Sequence, residues 1–200
     1  MDRVYAPPPS WKAPTRVMPS ESLQGEVSTA PIHEAVGRAL SAWEHAESGL
    51  IKLFQLLCET KSFAACRAYG TLDSVFSRHL ALKYAAQEFF VSRDEDDLPK
   101  VEALVNVYNN TGQYRNQIAH GMAIQPHAFG YFLCPPSYAS RRRDTPRPTE
   151  QWGFGADYFY RVNEIDHIRD RFDQILAATM SLVLFLNAKY KILEGSEFHP

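Results

Sequence analysis

The sequence predicts an all-α protein: an up-and-down bundle of four to five helices, with a small β-hairpin and aromatic loop inserted before the last helix. Three observations carry that expectation. Apolar residues recur at helical spacing along four long stretches, such as Ile32, Val36, Leu40, Trp43, Leu50, Phe54 and Leu57 in the first. Helix-start signals stand at the head of several stretches: Pro31, Pro99 behind Asp97, and Asn163 with Glu164 and Asp166. The stretch 123–162 has no helical period and holds nine aromatics, Phe129 to Tyr160. That is too long for a plain loop in a compact domain.

Composition bounds the class. The chain has 200 residues, 45% hydrophobic and 22% charged, ordinary for one soluble globular domain with a sizeable core. A net charge of −2 sets up no global field toward nucleic acid or an anionic membrane, so any polyanion must be held by a local patch. Cys58, Cys66 and Cys134 are odd in number and lack Cys-x-x-Cys spacing, which suggests neither a disulfide framework nor a zinc site. A reducing, cytoplasmic setting fits. No basic-then-apolar leader opens the chain. The most apolar run, Ile175–Leu186, is too short to cross a bilayer, so no membrane partner is expected. No metal or cofactor is called for.

In chain order, residues 1–29 hold Pro7-Pro8-Pro9, Pro14 and Pro19 among polar residues and read as a flexible Pro-rich arm. One helical domain is expected over 30–193, with 123–162 as its insertion, followed by a short tail at 194–200. The first helix starts near Pro31 and runs up to about 30 residues. Glu44, Glu47 and Lys52 decorate its other faces. Ser62 can cap a short helix through Cys66. Thr71 can cap a long one, with Leu72, Val75, Phe76, Leu80, Ala86 and Phe90 on its buried side and Arg78-His79 at the surface or, as a second reading, facing a cleft. Asp97 can cap the next helix, which should run on through Asn109-Asn110-Thr111-Gly112 because Ile118 and Met122 continue the stripe set by Leu104. Gly121 can end it. Within the insertion, residues 128–134 and 156–162 look like two strands paired as a hairpin. Asn163 should cap the last helix.

The segment Tyr114-Arg115-Asn116-Gln117-Ile118-Ala119-His120-Gly121 concentrates the chemistry. On a helix at about 100° per residue, Asn116 and His120 share one side and Arg115 adjoins them. Arg115-Asn116-x3-His120 at the end of a late bundle helix resembles the Arg-x4–6-His motif of the HEPN superfamily (higher eukaryotes and prokaryotes nucleotide-binding domains), in which a polar residue commonly follows the Arg. Trp43-x3-Glu47-x2-Leu50 resembles HEPN first helices more weakly.

The resemblance implies a metal-independent endoribonuclease acting as a homodimer, such as the toxin of a toxin–antitoxin or defence pair with an antitoxin protein as partner. His120 would serve as general base or acid on the ribose 2′-hydroxyl and leaving oxygen; imidazole as a side chain titrates within reach of neutral pH. Arg115 would hold the scissile phosphate, and Asn116 would orient either. Arg141, Arg142 and Arg143, with Arg147, could clamp RNA phosphates, and Trp152, Phe154 and Tyr158 could stack bases. Rival readings stand beside this one. Arg115 and His120 can be plain helix-end cations, the arginine run a solvated loop, and the whole a non-catalytic dimeric HEPN-like module. A third reading is a small-molecule pocket lined by Phe129, Tyr131 and Trp152.

Overall fold

The computed structural model describes residues 4–15, 19–93, 95–126, 128–135 and 158–192. The fold is mainly helical, with a small two-stranded sheet before the last helix. Among the described residues there are five α-helices: α1 (Ala30–Leu57), α2 (Phe63–Gly70), α3 (Val75–Phe90), α4 (Leu98–Ala119) and α5 (Val162–Tyr190). The strands β1 (Met122–Ile124) and β2 (Phe132–Cys134) pair antiparallel, with Ala123 opposite Leu133. No helix of the described residues is long and apolar enough to cross a membrane.

The chain divides into two compact units. One comprises Met1–Ser10, Glu44–Gly112 and Phe172–Pro200; the other comprises Trp11–Trp43 and Gln113–Arg171. The boundaries fall inside α1, α4 and α5.

The first unit is a helical core built on Leu50, Leu53, Leu56, Leu82, Phe90, Leu104, Tyr108, Ile175, Leu182 and Leu186, all buried. Two polar ties cross that core. Glu47 of α1, only 5% exposed, accepts a hydrogen bond at Oε1 from the Tyr108 hydroxyl of α4 (2.8 Å). Its Oε2 lies 2.9 Å from Nη1 of Arg78 on α3, as an ion pair. Burial first, and then the neighbouring Glu47 charge, pushes the Tyr108 phenol far above its ordinary range, so it remains a donor.

The second tie is Asp97, expected as a cap on α4. Its carboxylate, directly before Leu98, binds Lys100, Lys189 (2.6 Å) and the Tyr190 hydroxyl (2.8 Å), joining the start of α4 to the end of α5. Burial raises the Asp97 pKa, but the hydrogen bonds from Lys100, Lys189 and Tyr190 outweigh it and hold the carboxyl below the usual range. A depressed folded pKa contributes stability above the unfolded value, about 3.9, that is lost as pH falls through the folded value. The expected result is a stability plateau above about pH 5 with an acid limb below about pH 4. Asp97→Asn should flatten Asp97's share of that limb and cost about 2 kcal/mol at neutral pH, moderated because both lysines can reach water. Urea titrations at a series of pH values check both.

Several local expectations need correction. α3 is capped by Ser74, whose side chain accepts from the Ser77 amide (3.0 Å), while Thr71 is the C-cap of α2. The buried face of α3 is His79, Leu82, Ala86, Phe89 and Phe90, whereas Phe76 is 60% exposed. His79 is not a surface group but is buried with Nδ1 3.2 Å from the Val105 carbonyl, and Arg78 is partly exposed but held by Glu47 and the Leu72 carbonyl. At α5, Asn163 lies inside the first turn. Glu164 instead reaches back to the Arg161 amide (2.9 Å), half of a capping box.

The hairpin also differs from the expected pairing. The 128–134 stretch does supply β2, but its partner is 122–124, and the 158–160 segment adds only an isolated bridge between Leu133 and Tyr160. Gly130 completes the reversal at φ +86°, where a Cβ would also meet the Gly25 and Glu26 backbone at 2.9 Å. Phe132, Cys134 and Phe159 form a small core there, with Ile124 and Phe129 packed on it.

Candidate functional site

The site segment lies at the C-terminal end of α4, in the second unit. The helix runs unbroken through residues 109–112 to Ala119, and the His120 amide still donates to the Asn116 carbonyl (3.0 Å). Ile118 is 1% exposed and anchors one side. Asn116 and His120 are exposed and Arg115 is half-buried. Arg115 Nη1 donates to Asn116 Oδ1 (3.3 Å), which folds the guanidinium over the amide on the open side. Met122, expected on the core side, is 43% exposed, because the helix ends before it and β1 begins there. Gly121 does not adopt a left-handed cap. It is a close-approach point, where a Cβ would meet Leu133 Cγ at 2.7 Å and the Gln117 carbonyl at 3.0 Å.

The electrostatic setting of Arg115 differs from that of its neighbours. In the same unit Arg38 sits on Glu34 and Asp166, Arg161 on Glu164, and Arg169 on Asp166 and Asp170. Among the described residues Arg115 has no carboxylate partner, and its hydrogen bond goes to a neutral amide. Most of its five donors remain open to an acceptor such as phosphate. The His120 ring has no hydrogen-bond partner among the described residues, and its exposure leaves it open to solvent.

The last turn of any helix leaves orphan carbonyls. Here the Tyr158 hydroxyl donates to the Gln117 carbonyl and the Tyr160 hydroxyl to Gln117 Oε1, both at 2.7 Å, with the two rings stacked at 4.6 Å. These tyrosines therefore clamp the turn that carries Arg115 and His120. Tyr160→Phe removes one clamp and should lower the unfolding free energy by about 1 kcal/mol, read as a drop in the urea midpoint at unchanged m-value. Sequence reasoning gave Tyr158 a stacking role and did not see the clamp; the alternating Tyr158-Phe159-Tyr160 was the available signal.

A second group was missed because it lies in the segment read as a flexible arm. Trp11 stacks on His167 (5.4 Å between ring centroids, 14° between planes) and meets Tyr114 edge-on (5.2 Å, 79°). The Arg171 guanidinium lies 5.6 Å from the indole centroid. His167 Nε2 donates to the Lys12 carbonyl (2.8 Å).

The structure thus brings Arg115, Asn116 and His120 to one accessible helix end. Arg141, Arg142, Arg143 and Arg147 lie outside the described residues, as do Trp152, Phe154 and His127, so the phosphate clamp and the Trp152-lined pocket fall there too. The chain matches no family model, no curated protein and no solved structure.

Proposed function

We propose that the chain is a HEPN-like, metal-independent endoribonuclease that works in the cytoplasm as a homodimer, as the toxin or defence component of a pair whose other member is an antitoxin protein. The observation that carries this reading is Arg115-Asn116-x3-His120 on the open side of the α4 end, with Arg115 lacking a carboxylate partner among the described residues. In the same unit Arg38, Arg161 and Arg169 are each set on an acid, whereas Arg171 faces the Trp11 indole.

In the proposed reaction one His120 imidazole removes the proton of a ribose 2′-hydroxyl. The 2′-oxygen attacks the adjacent phosphorus, and the bond to the 5′-oxygen breaks. That oxygen leaves with a proton from the second copy's imidazole, and the products are a 2′,3′-cyclic phosphate and a 5′-hydroxyl. Arg115 holds the non-bridging oxygens as charge builds on them. Asn116, already bonded to Arg115, sets its direction.

The competing reading is a non-catalytic dimeric helical module, favoured by the net charge of −2. Expression of wild type and His120→Ala in bacteria separates the two. Growth arrest with RNA breakdown in wild type alone supports the nuclease; equal growth with intact RNA in both leaves the module.

A further inference from the structure

The seat of Trp11 has features that ordinary packing of an arm does not require. Its floor is the His167 imidazole, nearly parallel to the indole; one wall is the Tyr114 ring; and the Arg171 guanidinium, on a residue only 6% exposed, faces the indole. The indole N–H is buried and has no acceptor among the described residues. Indole therefore fills the slot while leaving its polar edge unsatisfied, which is unfavourable for a buried donor. Residues 11–15 form neither helix nor strand. They are tied down chiefly by the Trp11 ring contacts and the hydrogen bond from His167 to the Lys12 carbonyl.

Stacking on an aromatic ring beside a cation is the way single-stranded nucleic-acid sites hold a base, and a purine, like indole, is a two-ring planar heterocycle. A purine carries acceptors on its edges where indole has only a donor. Tyr114 is the residue immediately before Arg115, so the slot adjoins the helix end that carries the proposed phosphate-binding cation.

We infer that the Trp11 seat is a base-stacking subsite for single-stranded RNA, occupied in the free protein by the chain's own Trp11, which a purine base displaces. This rests on the RNA-binding half of the function proposed above and not on its chemistry. The N-terminal segment is then a self-mimic that competes with substrate, and its release exposes the slot.

The test uses the full chain and an eight-residue 2′-O-methyl oligoadenylate, which lacks the nucleophile and cannot be cut, with binding read by fluorescence anisotropy. Trp11→Ala is expected to bind roughly tenfold tighter than wild type, the order of one stacked base gained without its competitor. Adding His167→Ala to Trp11→Ala should erase that gain. Trp11→Phe, which keeps the segment anchored by a smaller ring, should fall between wild type and Trp11→Ala, with circular dichroism checking that every variant is folded. A Trp11→Ala chain that is folded yet binds no tighter than wild type overturns the inference, as does a gain that survives His167→Ala. Because the probe is uncleavable, a protein without nuclease activity can still pass this test, and an active nuclease can fail it.

Discussion

Glu47→Ala is expected to lower the unfolding free energy by about 3–4 kcal/mol, among the largest effects of any single substitution in the first unit. The size follows from what is left behind. The Tyr108 hydroxyl, on a residue with no exposure, loses its acceptor, and an unsatisfied buried hydroxyl costs about 1–3 kcal/mol. Arg78 loses its carboxylate but keeps the Leu72 carbonyl, and its side chain is 25% exposed, so water can partly replace the partner. That exposure holds the effect below the upper end for buried pairs. Glu47→Gln keeps an acceptor for Tyr108 and should cost about half as much. A double-mutant cycle gives the sharper check. Tyr108→Phe alone should cost about 1 kcal/mol, yet in the Glu47→Ala background it should cost nothing or restore some stability, because it removes the orphan hydroxyl. Additive costs in urea unfolding would show that the two groups do not share one network.

That network also shows where sequence reading stops. Glu47 lies off the apolar stripe of α1, and charged residues are mostly exposed, so nothing local marks it as buried. Its burial depends on Arg78 and Tyr108, 31 and 61 positions further along the chain, and no local pattern reports such a pairing. The same limit explains α3. Apolar and aromatic residues surround that helix, with Phe76 and Tyr84 more than half exposed, so its stripe pointed two ways and packing chose the face through His79, Leu82, Ala86 and Phe89. Where the stripe was one-sided, as on α1, helix extent was readable from spacing, but Val36, Leu40 and Phe54 are only half-buried while Ala35, Ala39 and Ala46 share the buried face.

The continuation of α4 through Asn109-Asn110-Thr111-Gly112 was readable for a related reason. Leu104 and Ile118 lie on one stripe, and both are buried. The Thr111 hydroxyl turns back to the Val107 carbonyl (2.7 Å), so a polar side chain is satisfied within the helix. The sheet partner was not readable. Residues 158–160 have the composition of a strand, but β1, right after the helix end and seven residues before β2, closes a much shorter loop and takes the pairing. At the site, Arg115, Asn116 and His120 followed from position on the helix. The Trp11 seat did not, since a lone Trp in a Pro-rich segment carries no periodic signal.

The second large effect concerns the proposed chemistry. With purified protein and an RNA substrate, His120→Ala should slow cleavage by roughly 10²- to 10⁴-fold, the range for losing a positioned general acid or base. Arg115→Ala should cost about 10²- to 10³-fold, as for a lost donor to a charge-bearing oxygen. Arg115→Lys should recover only part of that, because a point charge cannot reproduce the planar fork that grips two oxygens and reaches Asn116 Oδ1. Replacing the 2′-hydroxyl at the scissile ribose by hydrogen should abolish cleavage by wild type, since it removes the nucleophile, while EDTA should leave the rate unchanged. The pattern is more diagnostic than any one rate. A helix-end cation serving stability alone would shift the unfolding midpoint in Arg115→Ala and be replaced well by lysine. A phosphate-binding arginine would leave the unfolding free energy within about 0.5 kcal/mol, as for changes away from the core, and be replaced poorly. Cleavage of the 2′-deoxy substrate, or full activity in Arg115→Lys, would exclude the proposed roles of these residues.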